Sequence, residues 1–183
     1  MPEPPSPTVG AAQTIIVGGA DTDVTVVGAD EQTDHDHVDV ARWCRLARDV
    51  LRAEGRRGEL TVTFVDRGEI TMLNSEHLGE SGATDVLSFP LDLDDSQPVR
   101  GDVPVLLGDV VICPAVAAEQ AATHAGMLDD ELALLVVHGV LHVLGHDHAE
   151  PGETAEMRAA ELAHLERLHW GGPAPGAFRQ EQS

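Results

Sequence analysis

The sequence contains no lysine, and its eleven cations, all arginines, face 32 aspartates and glutamates, for a formal net charge of −21 over 183 residues. Acidity on this scale favours solubility and repels duplex phosphate and anionic membranes, so any contact with nucleic acid has to be local. Cysteine is scarce as well. Cys44 and Cys113 lie far apart in apolar surroundings, without C-x-x-C spacing. This excludes a disulfide framework and a thiolate metal site, and marks both as buried free thiols of a reducing compartment. The opening MPEPPSPTVG has no basic segment followed by an apolar core. No uninterrupted apolar run approaches the roughly 20 residues that cross a bilayer. A cytoplasmic protein without a membrane partner is the expectation.

What the sequence does have is concentrated between Glu131 and His148, ELALLVVHGVLHVLGHDH. Leu132, Leu134, Leu135, Val136, Val137, Val140, Leu141, Val143 and Leu144 leave a helix here no wet face, so it should run through the middle of the domain. Past its first turn its two polar side chains are His138 and His142, whose spacing of four puts both imidazoles on one face. Gly145 can adopt the left-handed conformation that ends a helix and turn the chain so that His148 returns to the same point. The pattern H-x-x-x-H-x-x-G-x-x-H is that of a three-nitrogen zinc site, one Zn2+, with the fourth tetrahedral position open to water. For either helical histidine alone, a satisfied core hydrogen bond is the simpler explanation. The three together with the glycine point to metal, because unpaired imidazoles in such surroundings are costly.

The length suits one domain with a real core. Residues 1–22 are expected to be a disordered tail, 23–170 a single domain and 171–183 a second tail. Val24 to Val27 is the first strand, with Thr14 to Val17 an extra edge strand or part of the tail. His35 and His37 in an acidic stretch are discounted as ligands, and Asp36 or Asp39 caps the helix that follows. That helix, Val38 to Ala53, buries Val40, Trp43, Cys44, Ala47, Val50 and Leu51. It carries Arg42, Arg45, Arg48 and Arg52, with Arg56 and Arg57 beyond. An ordinary solvated face and a small phosphate-binding patch account for these equally well.

Leu60 to Val65 reads as a half-buried strand and Glu69 to His77 as a helix turning Ile70, Leu73 and Met72 inward. Thr84 to Phe89 and Val105 to Ile112 are further strands, the second with Gly108 marking a close approach. Pro114 opens a helix to Ala125, Asp129 or Asp130 caps the histidine-bearing helix, and a last helix runs from Gly152 to His169. His164 and His169, without partners at ligand spacing, are assigned to the surface. The sum is an α+β domain: a small mixed β-sheet with helices packed around a buried central helix carrying the three-histidine site.

Such a site suits hydrolysis. In zinc peptidases built on H-E-x-x-H, a glutamate after the first histidine takes the proton of water. Here that residue is Gly139, which argues against a peptidase, whereas phosphodiester cleavage, by metal-bound hydroxide or by attack of the RNA's own 2′-hydroxyl, leans less on a carboxylate there. His138 is a catalytic candidate as well as a ligand candidate. Asp85, Ser88, Asp109 and His146 are candidate helpers, each weighed equally against turn or cap formation. Asp147, between ligands, is expected to orient a histidine.

Leu73-Asn74, TDVLSFP from Thr84 to Pro90, LGDVVI from Leu107 to Ile112, HGVLHVLGHDH from His138 to His148, and Met157 with Glu161 together resemble the YbeY family of bacterial rRNA maturation factors. The resemblance spans roughly Val24 to Leu168. It implies a single-strand-specific endoribonuclease with one zinc held by His138, His142 and His148. It further implies processing of small-subunit (16S) rRNA 3′ ends, ribosome quality control, and the small ribosomal subunit as partner. Where many members carry an arginine after Leu-Asn this chain has Leu78, which leaves Arg67 or Arg100 as substrate-binding candidates. A monomer is expected. The rival functions are a ribosome-assembly binding factor with a mainly structural zinc, and a zinc amide hydrolase. No cysteine lies near the histidines to close the site, which favours an open one.

Overall fold

The computed structural model describes residues 13–18, 23–33, 37–91, 104–146 and 151–180. Strands β1 (Gln13–Val17), β2 (Val24–Asp30), β3 (Gly58–Phe64), β4 (Val86–Pro90) and β5 (Leu106–Ile112) form one five-stranded sheet in the order β1-β2-β3-β5-β4. The inner pairs β2·β3 and β3·β5 are parallel, and both outer pairs are antiparallel, so the sheet is mixed as expected. Helices α1 (Val40–Ala53), α2 (Arg67–Leu78), α3 (Pro114–Ala121), α4 (Leu128–Val143) and α5 (Pro151–His164) complete the domain. The chain continues from α5 into a π-helical turn, Leu165–Trp170.

β2 and β3 alternate buried and half-buried residues, which puts Val24, Val26, Leu60, Val62 and Phe64 on one face. That face packs against α1 and α4 in the larger core. A Cβ on Gly28 would lie 2.2 Å from Cys44 Sγ, so the missing side chain is what lets α1 settle on β2. The other face holds a smaller core of Val65, Ile70, Leu87, Val111, Cys113 and Val116, beneath α2 and α3. Val110 and Ile112 point to the first core and Val111 to the second, as strand alternation requires. Both cysteines are buried free thiols, and burial pushes Cys44 up to about 11.

α4 runs through the larger core as its composition demands: every residue from Asp130 to Val137 is buried. Its N-cap is Met127, which gives no side-chain cap, rather than Asp129 or Asp130. Both aspartates lie inside the first turn, where the helix dipole favours negative charge and where they are engaged by other elements. Asp39 does cap α1, accepting from the Arg42 N–H at 3.0 Å.

Other expectations change. Of the two readings left open for Thr14 to Val17, the structure takes the edge strand, residues 13–17 pairing with β2. The C-terminal segment is docked: Phe178 is buried with its ring edge-on to Trp170 at 4.8 Å, and the Arg179 N–H donates to the His124 carbonyl. Met72 is 60% exposed, because α2 covers the sheet with Ile70 and Leu73 alone. α3 stops at Ala121, ahead of a turn. His164 and His169 are not surface residues: His164 Nε2 meets Glu54 at 2.7 Å and His169 Nε2 meets Asp130 at 2.7 Å, both with buried rings. Their partners are distant in sequence, so no local spacing announced them. Among the described residues no helix is long and apolar enough to cross a membrane.

Candidate metal centre

His138 and His142 are the half-exposed positions on the C-terminal half of α4, between buried neighbours. Their rings lie one turn apart with centroids 4.5 Å from each other at 74°. The helix then closes as the sequence requires. Gly145 takes φ +91°, its N–H donates to the His142 carbonyl at 2.9 Å, and the His146 N–H donates to the Leu141 carbonyl at 3.0 Å. These paired bonds are the Schellman ending, which reverses the chain beside the two histidines. His148 and Asp147 lie outside the described residues, as does Arg100.

His138 has a partner that fixes its chemistry. Its Nδ1 lies 2.7 Å from Glu161 Oε1 on α5, and Glu161 is 4% exposed. A carboxylate only accepts, so the imidazole donates through Nδ1, the arrangement usual for an imidazole that binds metal through its other nitrogen. The second oxygen of Glu161 accepts from Gln180 Nε2 at 2.8 Å. Among the described residues no set of three His, Cys, Asp or Glu side chains converges to hold a metal. The pair that is described fits zinc by donor type: one imidazole oriented by a buried carboxylate and a second beside it on the same helix face.

A cavity of about 90 Å³ adjoins His138, lined among others by Asp85, Glu131, Arg158 and Glu161. Asp85 is buried at its edge, its Oδ1 accepting from the Val86 N–H at 2.8 Å and from the Thr84 hydroxyl at 3.2 Å. Ser88 donates to the Gly139 carbonyl at 3.3 Å, one residue beyond His138. Burial pushes the Glu131 carboxyl above its ordinary range, and the Asp85 charge adds to this; bonds from the Ala125 N–H and His124 oppose it.

Gly139 sits on the sheet: a Cβ there would come within 2.5 Å of Val110 Cγ1. A glutamate at this position, as in the H-E-x-x-H peptidases, would run into β5.

The remaining candidates are held elsewhere. Asp109 lies on β5 opposite Phe89 and Thr61. His146 Nε2 is 3.6 Å from Glu54, on the turn after α1. Arg67 donates to Glu119 of α3. The arginines of α1 favour the solvated-face account: Arg42 pairs with Asp129 and stacks on Trp43, while Arg48 and Arg52 share Asp49.

A family model described as Endoribonuclease YbeY matches residues 29–169. The chain belongs to the YbeY family. Endoribonuclease YbeY of Beutenbergia cavernae is 48% identical over 125 residues, covering 66% of this chain and 82% of that one. The Kineococcus radiotolerans protein of the same name is 44% identical over 146 residues, covering 76% and 84%. In fold, the chain is similar to a Thermotoga maritima protein whose structure was solved in solution, with a TM-score of 0.54 at 24% identity over 81% of this chain and 89% of the other.

Within this YbeY domain, two residues that spacing alone did not single out touch the site. Glu161 appeared in the sequence only as part of a motif with Met157, with nothing to connect it to His138, 23 positions away. Gln180 lies beyond the matched region altogether and carried no signal.

Proposed function

We propose that this YbeY-family chain is a zinc-dependent endoribonuclease that cuts single-stranded rRNA at the 3′ end of the small-subunit rRNA, with the small ribosomal subunit as its partner. The observation that supports this reading is the hydrogen bond from His138 Nδ1 to the buried Glu161, with His142 beside it on the same helix face, the arrangement of an oriented metal-binding imidazole. His148 is the third ligand in this reading. When bound, zinc supplies a Lewis acid that polarises a phosphoryl oxygen. The chain's own residues do the rest: Glu161 fixes the tautomer and the ring plane of His138, and the Gly145 turn redirects the backbone after His142. Gly139 offers no carboxylate to take a proton, which suits a phosphodiester attacked by its neighbouring 2′-hydroxyl better than an amide attacked by water. Asp85, at the rim of the cavity beside His138, and Ser88, bonded to the Gly139 carbonyl, are the candidate positioning groups. Arg67 is tied to Glu119, so Arg100 is the better candidate for a phosphate contact.

The test is cleavage of a single-stranded RNA ending in the small-subunit 3′ sequence, by wild type and by a folded His142→Ala variant. Cutting that disappears in the variant is the expected result. Equal cutting by both assigns the activity to a contaminant, and a wild type that takes up zinc yet leaves the RNA intact favours an assembly factor.

A further inference from the structure

Glu161 is a buried carboxylate with one oxygen given to each of two partners. Oε1 receives His138 and Oε2 receives Gln180. Gln180 is itself placed by three further interactions of the C-terminal segment. Its Nε2 also donates to the Arg158 carbonyl at 2.9 Å, one turn before Glu161 on α5. Two residues earlier, Phe178 is buried against Trp170, and between them the Arg179 N–H is bonded to the His124 carbonyl. The family match ends at residue 169, so this entire strap lies outside it.

A carboxylate whose second oxygen is unbonded can rotate about its last torsion, which is broad and two-fold for glutamate, and carry the acceptor out of the imidazole plane. A donor on Oε2 removes that freedom. It also satisfies an oxygen that burial would otherwise leave without a partner. We infer that Gln180 is a positioning residue for the metal centre: the docked C-terminal segment holds Glu161 in the orientation that presents His138 Nε2 to zinc. The segment then acts on metal affinity through a chain of two hydrogen bonds, Gln180 to Glu161 and His138 to Glu161, without touching the ion. This inference rests on the metal reading given above.

The test is the zinc affinity of the full chain, measured by competition with a chromophoric chelator, for wild type, Gln180→Ala, Glu161→Ala and the double variant. Removing a group that orients a ligand costs about 10- to 100-fold in metal affinity, and a group one bond further out is expected to cost about three- to tenfold. Gln180→Ala should show that loss in the wild-type background and none in Glu161→Ala, where there is no carboxylate left to hold. Phe178→Ala, which undocks the strap, should reproduce the loss of Gln180→Ala. Unchanged affinity in Gln180→Ala, or the same loss in both backgrounds, overturns the inference while leaving the metal site standing. A wild type that takes up no zinc overturns the metal reading and this inference with it.

Discussion

At the N-terminal end of α4, Asp130 receives His169 Nε2 at 2.7 Å and Trp170 Nε1 at 2.8 Å, and Glu131 faces His124 at 3.4 Å. Towards its C-terminal end, His138 donates to Glu161 at 2.7 Å. The chemistry is the same pair, imidazole and carboxylate, with the roles exchanged between helix and surroundings. At the first end the helix supplies the acid, where its dipole favours negative charge. The imidazole comes from outside, and the His169 side chain is 8% exposed. At the second end the helix supplies the imidazole, and the His138 side chain is 30% exposed with another histidine beside it. The first arrangement fastens the helix to the rest of the domain. The second sits against the cavity lined by Asp85, Glu131 and Glu161. The same histidine–carboxylate pair is thus set in two different surroundings, one closed and one beside a cavity.

Breaking the two ends separately should give opposite phenotypes. The largest effect expected is on catalysis: His142→Ala should lower RNA cleavage by about a thousandfold or more, since a Lewis acid contributes several kcal/mol to the transition state. Its circular dichroism should match wild type; a variant that unfolds instead would make the site structural. Next, Glu161→Ala should weaken zinc binding by about 10- to 100-fold in a chelator competition.

At the other end, Asp130→Ala strands the donors of His169 and Trp170 and should cost about 2–3 kcal/mol in urea unfolding, with zinc affinity unchanged. A loss of zinc affinity there would mean that the two ends are coupled through the helix. Chelation of the metal should stop cleavage while the far-UV spectrum persists, because α4 is held by packing and by the Asp130 and Glu131 contacts. Collapse on chelation would favour the structural-zinc alternative.

The smallest effect concerns pH. Glu131 has a raised carboxyl pKa, so its charged form is penalised in the fold. The penalty is fully present above the folded pKa and vanishes below the unfolded one. The stability difference between wild type and Glu131→Gln should therefore shift in favour of wild type as pH falls through that window. A difference that stays flat would mean that the bonds from Ala125 and His124 cancel the burial.

Much of this was legible in the sequence because it is written at helical or strand period. The buried run of α4, the stacked His138 and His142, the Gly145 ending and the alternating faces of β2 and β3 are all local consequences of residue order. The carboxylate behind His138 was not, since the motif that contains Glu161 gives no sign of its partner until α5 is laid beside α4. His164 and His169 were misplaced for the same reason: their acceptors, Glu54 and Asp130, are brought to them by the fold.

By itself the sequence determined which helix is central, which face of it carries nitrogen donors, and that no carboxylate follows the first of them. Those features depend only on neighbours within a turn or two. The tertiary structure decided that Gly139 is required by the approach of Val110, that Arg67 is tied to Glu119, and that a C-terminal glutamine reaches the carboxylate behind His138. Each of these is a contact between segments far apart in the chain, and a short-range pattern carries no record of which distant side chain will arrive.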